Sequence, residues 1–266
     1  MKKIFVLTLF IFSLFCFPLV IYAHPTNQNK LNVRTMPAPN ASSSVNVEEL
    51  RITQLQFKGA SGTIQYGEKF VNKNINADTH LILLLHGRNG MGNDNLRQLS
   101  NPAIPSLTSF AQKYNKKILI LAPQCPQGQG WNKTNDGNIP INIAIELVKH
   151  KMKAYNISSN NVYVAGNSMG GMVCYDLMTR YSNIFSKAII ISSGGNPKQA
   201  QNAKGDFYIL HSQNDNLIPI ERAKSMVEAL NNNSNATVKF KTIQNDGHIG
   251  SAAAAFGDDV WNWMFK

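Results

Sequence analysis

Hydrophobic residues recur along this chain with two different periods. His80-Leu81-Ile82-Leu83-Leu84-Leu85 is apolar after its first position, and Lys117-Ile118-Leu119-Ile120-Leu121-Ala122 repeats the pattern. Unbroken apolar runs of this length predict strands buried on both faces of a parallel sheet. Asn161-Val162-Tyr163-Val164-Ala165, Ala188-Ile189-Ile190-Ile191-Ser192, Phe207-Tyr208-Ile209-Leu210 and the stretch Thr237 to Ile243 predict four more. Between these runs the period lengthens. Ile141, Ile145, Val148 and Met152 fall at three- and four-residue steps, which predicts a helix from Pro140 to about Tyr155 with its proline in the first turn. Further helices are predicted over Pro105 to Tyr114, over the stretch from Gly171 to Met178, over Ile220 to Leu230, and as one terminal helix reaching Lys266. Apolar positions around Ile52, Leu55 and Phe57, then Ile64 and Tyr66, with Gly59 and Gly62 between, predict an opening pair of strands. Strands alternating with helices give an α/β fold: a mostly parallel central sheet covered by helices on both faces.

The first fifty residues do not share this pattern. Lys2-Lys3, an almost wholly apolar stretch from Ile4 to Ile21, and Tyr22-Ala23 before His24 read as a signal peptide over 1–23. That stretch is long for a signal, so retention as a membrane anchor is the alternative. Residues 24–50, rich in Asn, Pro and Ser, read as a flexible leader with too little apolar content to order itself. Residues 51–266 then form one domain, since 266 residues with 43% hydrophobic content supply one substantial core. The expected location is secreted or periplasmic. Outside the signal only Cys125 and Cys174 remain, open to pairing in an oxidising compartment or to burial as free thiols.

A formal charge of +11 attracts anions in general. The lysines are spread along the chain, however, without a basic run or interleaved aromatics, so no nucleic-acid partner is expected. The loop His86-Gly87-Arg88-Asn89-Gly90-Met91-Gly92 lacks the Gly-Lys-Ser/Thr ending of a phosphate-binding loop, and no zinc-ligand spacing occurs. Neither a metal nor a cofactor is expected.

The most informative stretch is Gly166-Asn167-Ser168-Met169-Gly170, between a predicted strand and a predicted helix. In a G-x-S-x-G turn the serine adopts a strained backbone that exposes its oxygen, and glycines two positions away spare a collision. The helix that follows points unpaired amides at the same place. Alone, the pentapeptide is also compatible with an ordinary strand-to-helix turn. Its weight comes from Leu85-His86-Gly87-Arg88-Asn89-Gly90, Ala122-Pro123-Gln124-Cys125-Pro126 to Trp131, His211-Ser212-Gln213-Asn214-Asp215 and Asp246-Gly247-His248.

With these segments in order, the chain from about residue 50 onward resembles the α/β-hydrolase superfamily, near the small carboxylesterase/phospholipase and polyhydroxybutyrate-depolymerase-like esterases. That resemblance implies a triad in the chain order serine, acid, histidine. Ser168 is then the nucleophile and His248, the one histidine after the candidate acids, the base, in a Gly-flanked loop. Asp215 follows a strand, whereas Asp206 enters one from the wrong end, Glu221 begins a helix, and Asp246 is too close to His248. The resemblance also implies an oxyanion hole from the backbone amides of Arg88 and Met169. It places His86 and Trp131 at the substrate pocket, although Trp131 reads equally as a buried loop anchor and His86 as a loop-shaping residue. The Arg88 guanidinium could additionally hold an acidic substrate group, but a surface ion pair is its expected fate. Trp261 and Trp263 read as helix packing.

The activity so implied is hydrolysis of a carboxylic ester, short-chain or soluble, through an acyl-enzyme. A polyester depolymerase and a feruloyl or acetyl-sugar esterase remain alternatives, and a non-catalytic binding protein on the same scaffold ranks below them. A peptidase ranks low because the chain has no room for a large accessory domain. The expected partner is a small-molecule or oligomeric ester, with the membrane reached only through an uncleaved 1–23 segment. Nothing in the sequence bears on oligomeric state.

Overall fold

A computed structural model describes residues 51–72, 75–132, 139–244 and 247–266. The signal segment over 1–23, the leader over 24–50, and Asp246 lie outside the described residues. Strands β1 (Thr53–Gly59) and β2 (Gly62–Val71) form a hairpin closed at Gly59 and Gly62, the latter at a φ of 128° that a side chain would strain. β2 runs antiparallel to β4 (Ile118–Pro123). All later pairings are parallel, joining β3 (His80–Leu85), β4, β5 (Val162–Asn167), β6 (Lys187–Ile191), β7 (Gly205–Ser212) and β8 (Ala236–Ile243). The eight strands lie in the order β1-β2-β4-β3-β5-β6-β7-β8. This is the mostly parallel sheet that the alternation predicts.

Among the described residues six α-helices cover it: α1 (Ala103–Lys113), α2 (Pro140–Tyr155), α3 (Met169–Arg180), α4 (Ile220–Asn231), α5 (Gly247–Ala255) and α6 (Asp258–Met264). Alternation along the central strands divides the core into two layers. Leu81, Leu83 and Leu85 pack with Leu147 of α2, Leu177 of α3 and Ala223 of α4. Ile82 and Leu84 pack on the other face, with Phe110 of α1 and Trp261 of α6. A strand with helices on both sides has no solvent face, so β3 reads as an unbroken apolar run. Burying each leucine is worth about 2 kcal/mol. Trp261 is buried against Phe256 and donates its indole N–H to Ser106 Oγ at 2.8 Å.

Two sequence expectations change here. The terminal helix is two helices, separated at Phe256-Gly257, because Gly257 is extended and serves as the N-cap of α6. β7 runs two residues beyond the apolar core of the run at each end, since Gly205-Asp206 and His211-Ser212 still pair with β8. Cys125 and Cys174 are free and buried, and burial pushes the Cys125 thiol up to about 12. Among the described residues no helix is long and apolar enough to cross a membrane.

Parallel pairing has one consequence for chemistry. It brings the carboxyl ends of β3, β5, β7 and β8 to the same edge of the sheet, where ligands bind in open α/β folds. Every candidate catalytic residue lies just beyond one of those ends, apart from its neighbour Met169 at the head of α3.

Candidate active site

Ser168 links β5 to α3 with φ 52° and ψ −119°, a conformation that residues with a β-carbon rarely adopt. The surroundings hold it there. Its N–H donates to Ile191 O at 2.9 Å. A β-carbon at Gly166 would fall 2.6 Å from the Gly170 carbonyl carbon, and one at Gly170 would fall 2.1 Å from Leu85 O. A β-carbon at Gly87 would lie 3.3 Å from that of Ser168, so the loop after β3 passes directly beside the nucleophile. The turn is built from backbone against backbone.

His248 Nε2 lies 2.9 Å from Ser168 Oγ, and His248 Nδ1 lies 2.8 Å from Asp215 Oδ2. With Nδ1–H donating to the carboxylate, Nε2 presents a lone pair to the serine hydroxyl. The sequence puts His248 in a loop, whereas it occupies the first turn of α5. Gly247, at φ 61°, supplies the left-handed residue that starts this helix abruptly, and its N–H donates to Asn214 Oδ1 at 2.9 Å. The Asp215 loop therefore fixes the start of the histidine helix.

Asp215 is only 8% exposed. Its Oδ1 accepts the Leu217 and Ile218 N–H groups at 2.9 Å each. Burial opposes the charge, but those amides and His248 outweigh it and hold the carboxyl below its usual range. His211, fully buried, packs beside this carboxylate: its Nε2 lies 2.8 Å from Ile218 O, within hydrogen-bond distance, and 3.3 Å from Asp215 Oδ2. The rejected acids behave otherwise. Asp206 hydrogen-bonds Thr237 and pairs with Lys187, and Glu221 sits in the first turn of α4.

Arg88 opens a 3-10 turn and Met169 opens α3, positions whose N–H groups have no partner within their own element. His86 braces the loop before them. Its Nδ1–H donates to Gly87 O at 2.6 Å, and its Nε2 accepts the Cys125 N–H at 2.9 Å. Burial pushes its pKa down to about 4, against the opposing pull of the Gly87 carbonyl, so the ring is neutral. Trp131 does not line the cavity, which corrects the pocket assignment. It is 1% exposed, donates to His86 O at 3.1 Å and packs on the His86 ring at 4.9 Å. The alternative reading, an anchor for its loop, is the one observed. The Arg88 guanidinium makes no ion pair or hydrogen bond with any described residue, contrary to the expected surface pair.

Sequence reasoning missed a group of buried serines beneath the site. Ser193 Oγ donates to Ser168 O at 3.0 Å. Ser192 Oγ hydrogen-bonds Ser251 Oγ, which donates to His248 O at 3.0 Å. Ser192 stands at φ 46°, the same left-handed region as Ser168. Thus two adjacent residues after β6 touch the nucleophile's backbone and, through Ser251, the helix bearing the base. The run Ser192-Ser193-Gly194-Gly195 was the only signal, and its contacts are all distant in sequence.

Above the serine lies a cavity of about 740 Å³. Ser168, His248, Gly87 and Arg88 line it. A nucleophile and a base oriented by a buried acid are parts needed for acyl transfer.

Comparison with known proteins bears on the fold and the family. The family model described as Phospholipase/Carboxylesterase matches residues 133–253. No match is found among curated protein sequences. Among solved structures, a thermostable esterase superposes with a TM-score of 0.71 at 24% identity, over 80% of this chain and 62% of that one. A ferulic acid esterase gives 0.64 at 14% identity over 80% and 96%, and Staphylococcus aureus fluorophosphonate-binding serine hydrolase F gives 0.61 at 13% over 81% and 98%.

Proposed function

We propose that this chain, a member of the α/β-hydrolase superfamily, hydrolyses carboxylic esters through an acyl-enzyme formed on Ser168. The observation that carries this reading is the unbroken contact from Ser168 Oγ through the His248 ring to Asp215. The matched family and the esterases among the superposable structures support it.

His248 Nε2 takes the hydroxyl proton as Ser168 Oγ bonds to the ester carbonyl carbon. The carbonyl oxygen becomes an oxyanion held by the Arg88 and Met169 amides; losing one such donor typically costs about 3 kcal/mol of barrier. Asp215 stabilises the imidazolium, which then protonates the departing alkoxide as the carbon–oxygen bond breaks. Water repeats the cycle: His248 removes its proton, the hydroxide adds to the acyl carbon, and the Ser168 oxygen leaves with the proton returned. Acid, alcohol and unchanged enzyme result. Short or soluble esters are the favoured substrates, with hydroxybutyrate-type polyesters and feruloyl or acetyl-sugar esters as the next classes to screen. Residues 1–23 support export to the periplasm or beyond.

Ser168→Ala tests the reading on nitrophenyl acetate. Turnover is expected to fall about 10⁶-fold with the thermal midpoint retained. Undiminished hydrolysis would remove Ser168 from the chemistry.

A further inference from the structure

The two walls of the cavity differ in chemistry. On one side Leu217 and Ile249 stand 66% and 76% exposed, unusual for large aliphatic side chains, with Ile218 and Ala252 beside them. On the other are Arg88 and Arg97, with Asn89 and Asn101. Among the described residues, no aspartate or glutamate lines the cavity; Asp215 lies behind His248. Among the described residues that line the cavity, none therefore offsets the charge of the two arginines.

Neither guanidinium is used up by the fold. Arg88 has no hydrogen bond or ion pair with any described residue. Arg97 pairs with Asp94, Nε to Oδ2 at 3.2 Å, and its side chain is 60% exposed, so it is not enclosed by that contact. Asp94 is itself occupied, accepting Gln124 Nε2 at 2.7 Å and the Leu96 N–H at 2.9 Å. Arg88 also has a fixed base, because the β-carbon that Gly90 lacks would fall 2.4 Å from the His86 ring, so loop and ring are tightly packed.

We infer that Arg88 and Arg97 form an anion-binding subsite, and that the preferred substrate is an ester carrying a carboxylate a few bonds from the scissile carbonyl, its aliphatic part lying toward Leu217 and Ile249. The inference rests on the ester-hydrolase reading and narrows its substrate class. Distance favours a nearby anion. The Arg88 side chain grows from the residue whose N–H faces the oxyanion, so its reach from the reacting carbonyl is the length of one arginine. A guanidinium grips a carboxylate with two parallel N–H donors. The chain's positive charge adds a longer-range attraction for such substrates.

Two nitrophenyl esters of matched length test this with the purified protein: the butyrate, which is neutral, and the hemisuccinate, which ends in a carboxylate. The wild type is expected to favour the hemisuccinate by at least about tenfold in kcat/KM, mainly through KM, with the preference shrinking in high salt. Arg88→Gln and Arg97→Gln should each reduce the hemisuccinate-to-butyrate ratio, and Arg97→Glu should reverse it. A wild-type ratio at or below one, or a ratio unchanged in all three variants, would overturn the subsite while leaving ester hydrolysis standing. Failure to turn over either ester, with no fluorophosphonate adduct on Ser168, would overturn both readings together.

Discussion

The nucleophile and its base arrive at the same edge of the sheet by different construction. Around Ser168 the tightest contacts are backbone on backbone: Gly166 against Gly170 and Gly170 against Leu85. Around His248 they are side-chain hydrogen bonds: Asp215 to two amides and His248, Asn214 to Gly247, Ser251 to His248 O. The first half has no space for an added atom, so its geometry is guaranteed by exclusion. The second is a set of directional bonds, each removable without filling or emptying much space. Damage to the first half should therefore appear as lost stability, and damage to the second as lost chemistry.

The sharpest test of that division lies in the second half. Asp215→Asn keeps the shape but gives the His248 ring a partner that no longer enforces the Nδ1–H tautomer. Turnover of nitrophenyl acetate should drop about 10⁴-fold while circular-dichroism melts show a folded chain. A melt lost along with activity would mean that Asp215 holds the fold rather than the ring.

Gly170→Ala probes the first half. A methyl 2.1 Å from Leu85 O and 2.9 Å from His86 O has no space, and α3 must move off the sheet. A loss of about 3 kcal/mol, or roughly 10 °C in the midpoint, is expected. An unchanged midpoint would show that the helix shifts freely and that exclusion is not what positions Ser168.

The buried serines join the two halves and give the smallest effect. Ser192→Gly removes the hydroxyl that reaches Ser251 and also relieves the strained φ of 46°. Turnover should fall about tenfold in kcat with KM and the midpoint nearly unchanged, because one hydrogen bond is worth about 1 kcal/mol. Ser192→Ala loses the same bond but keeps the strain. Equal activity in all three chains would leave the serines as filler beneath the site.

The sequence was most legible where one local rule settled the structure. β3 spans His80–Leu85 as its apolar run indicates, and α2 spans Pro140–Tyr155 because proline opens it and Asn156, at φ 55°, closes it in the left-handed region. The nucleophile turn was legible for the same reason: glycine spacing records a steric demand. The environment of Asp215 was only half legible, since a loop after a strand marks the acid but not the Leu217 and Ile218 amides that, with His248, hold it charged. Trp131 was misplaced because an aromatic in a loop near a site looks the same in sequence whether it faces ligand or packs beneath a histidine. The start of α5 was missed because Gly247 and His248 carry the composition of a loop, and the helix there depends on Asn214, 33 residues earlier. Ser192, Ser193 and Ser251 gave no local signal, because their partners come from three other elements.

The central claim is that Ser168, His248 and Asp215 work as one unit, and covalent labelling tests it most directly. A fluorophosphonate with peptide mapping by mass spectrometry is expected to give a single adduct on Ser168 in the wild type, formed far more slowly in His248→Ala. No adduct, an adduct elsewhere, or labelling that ignores the histidine would contradict it.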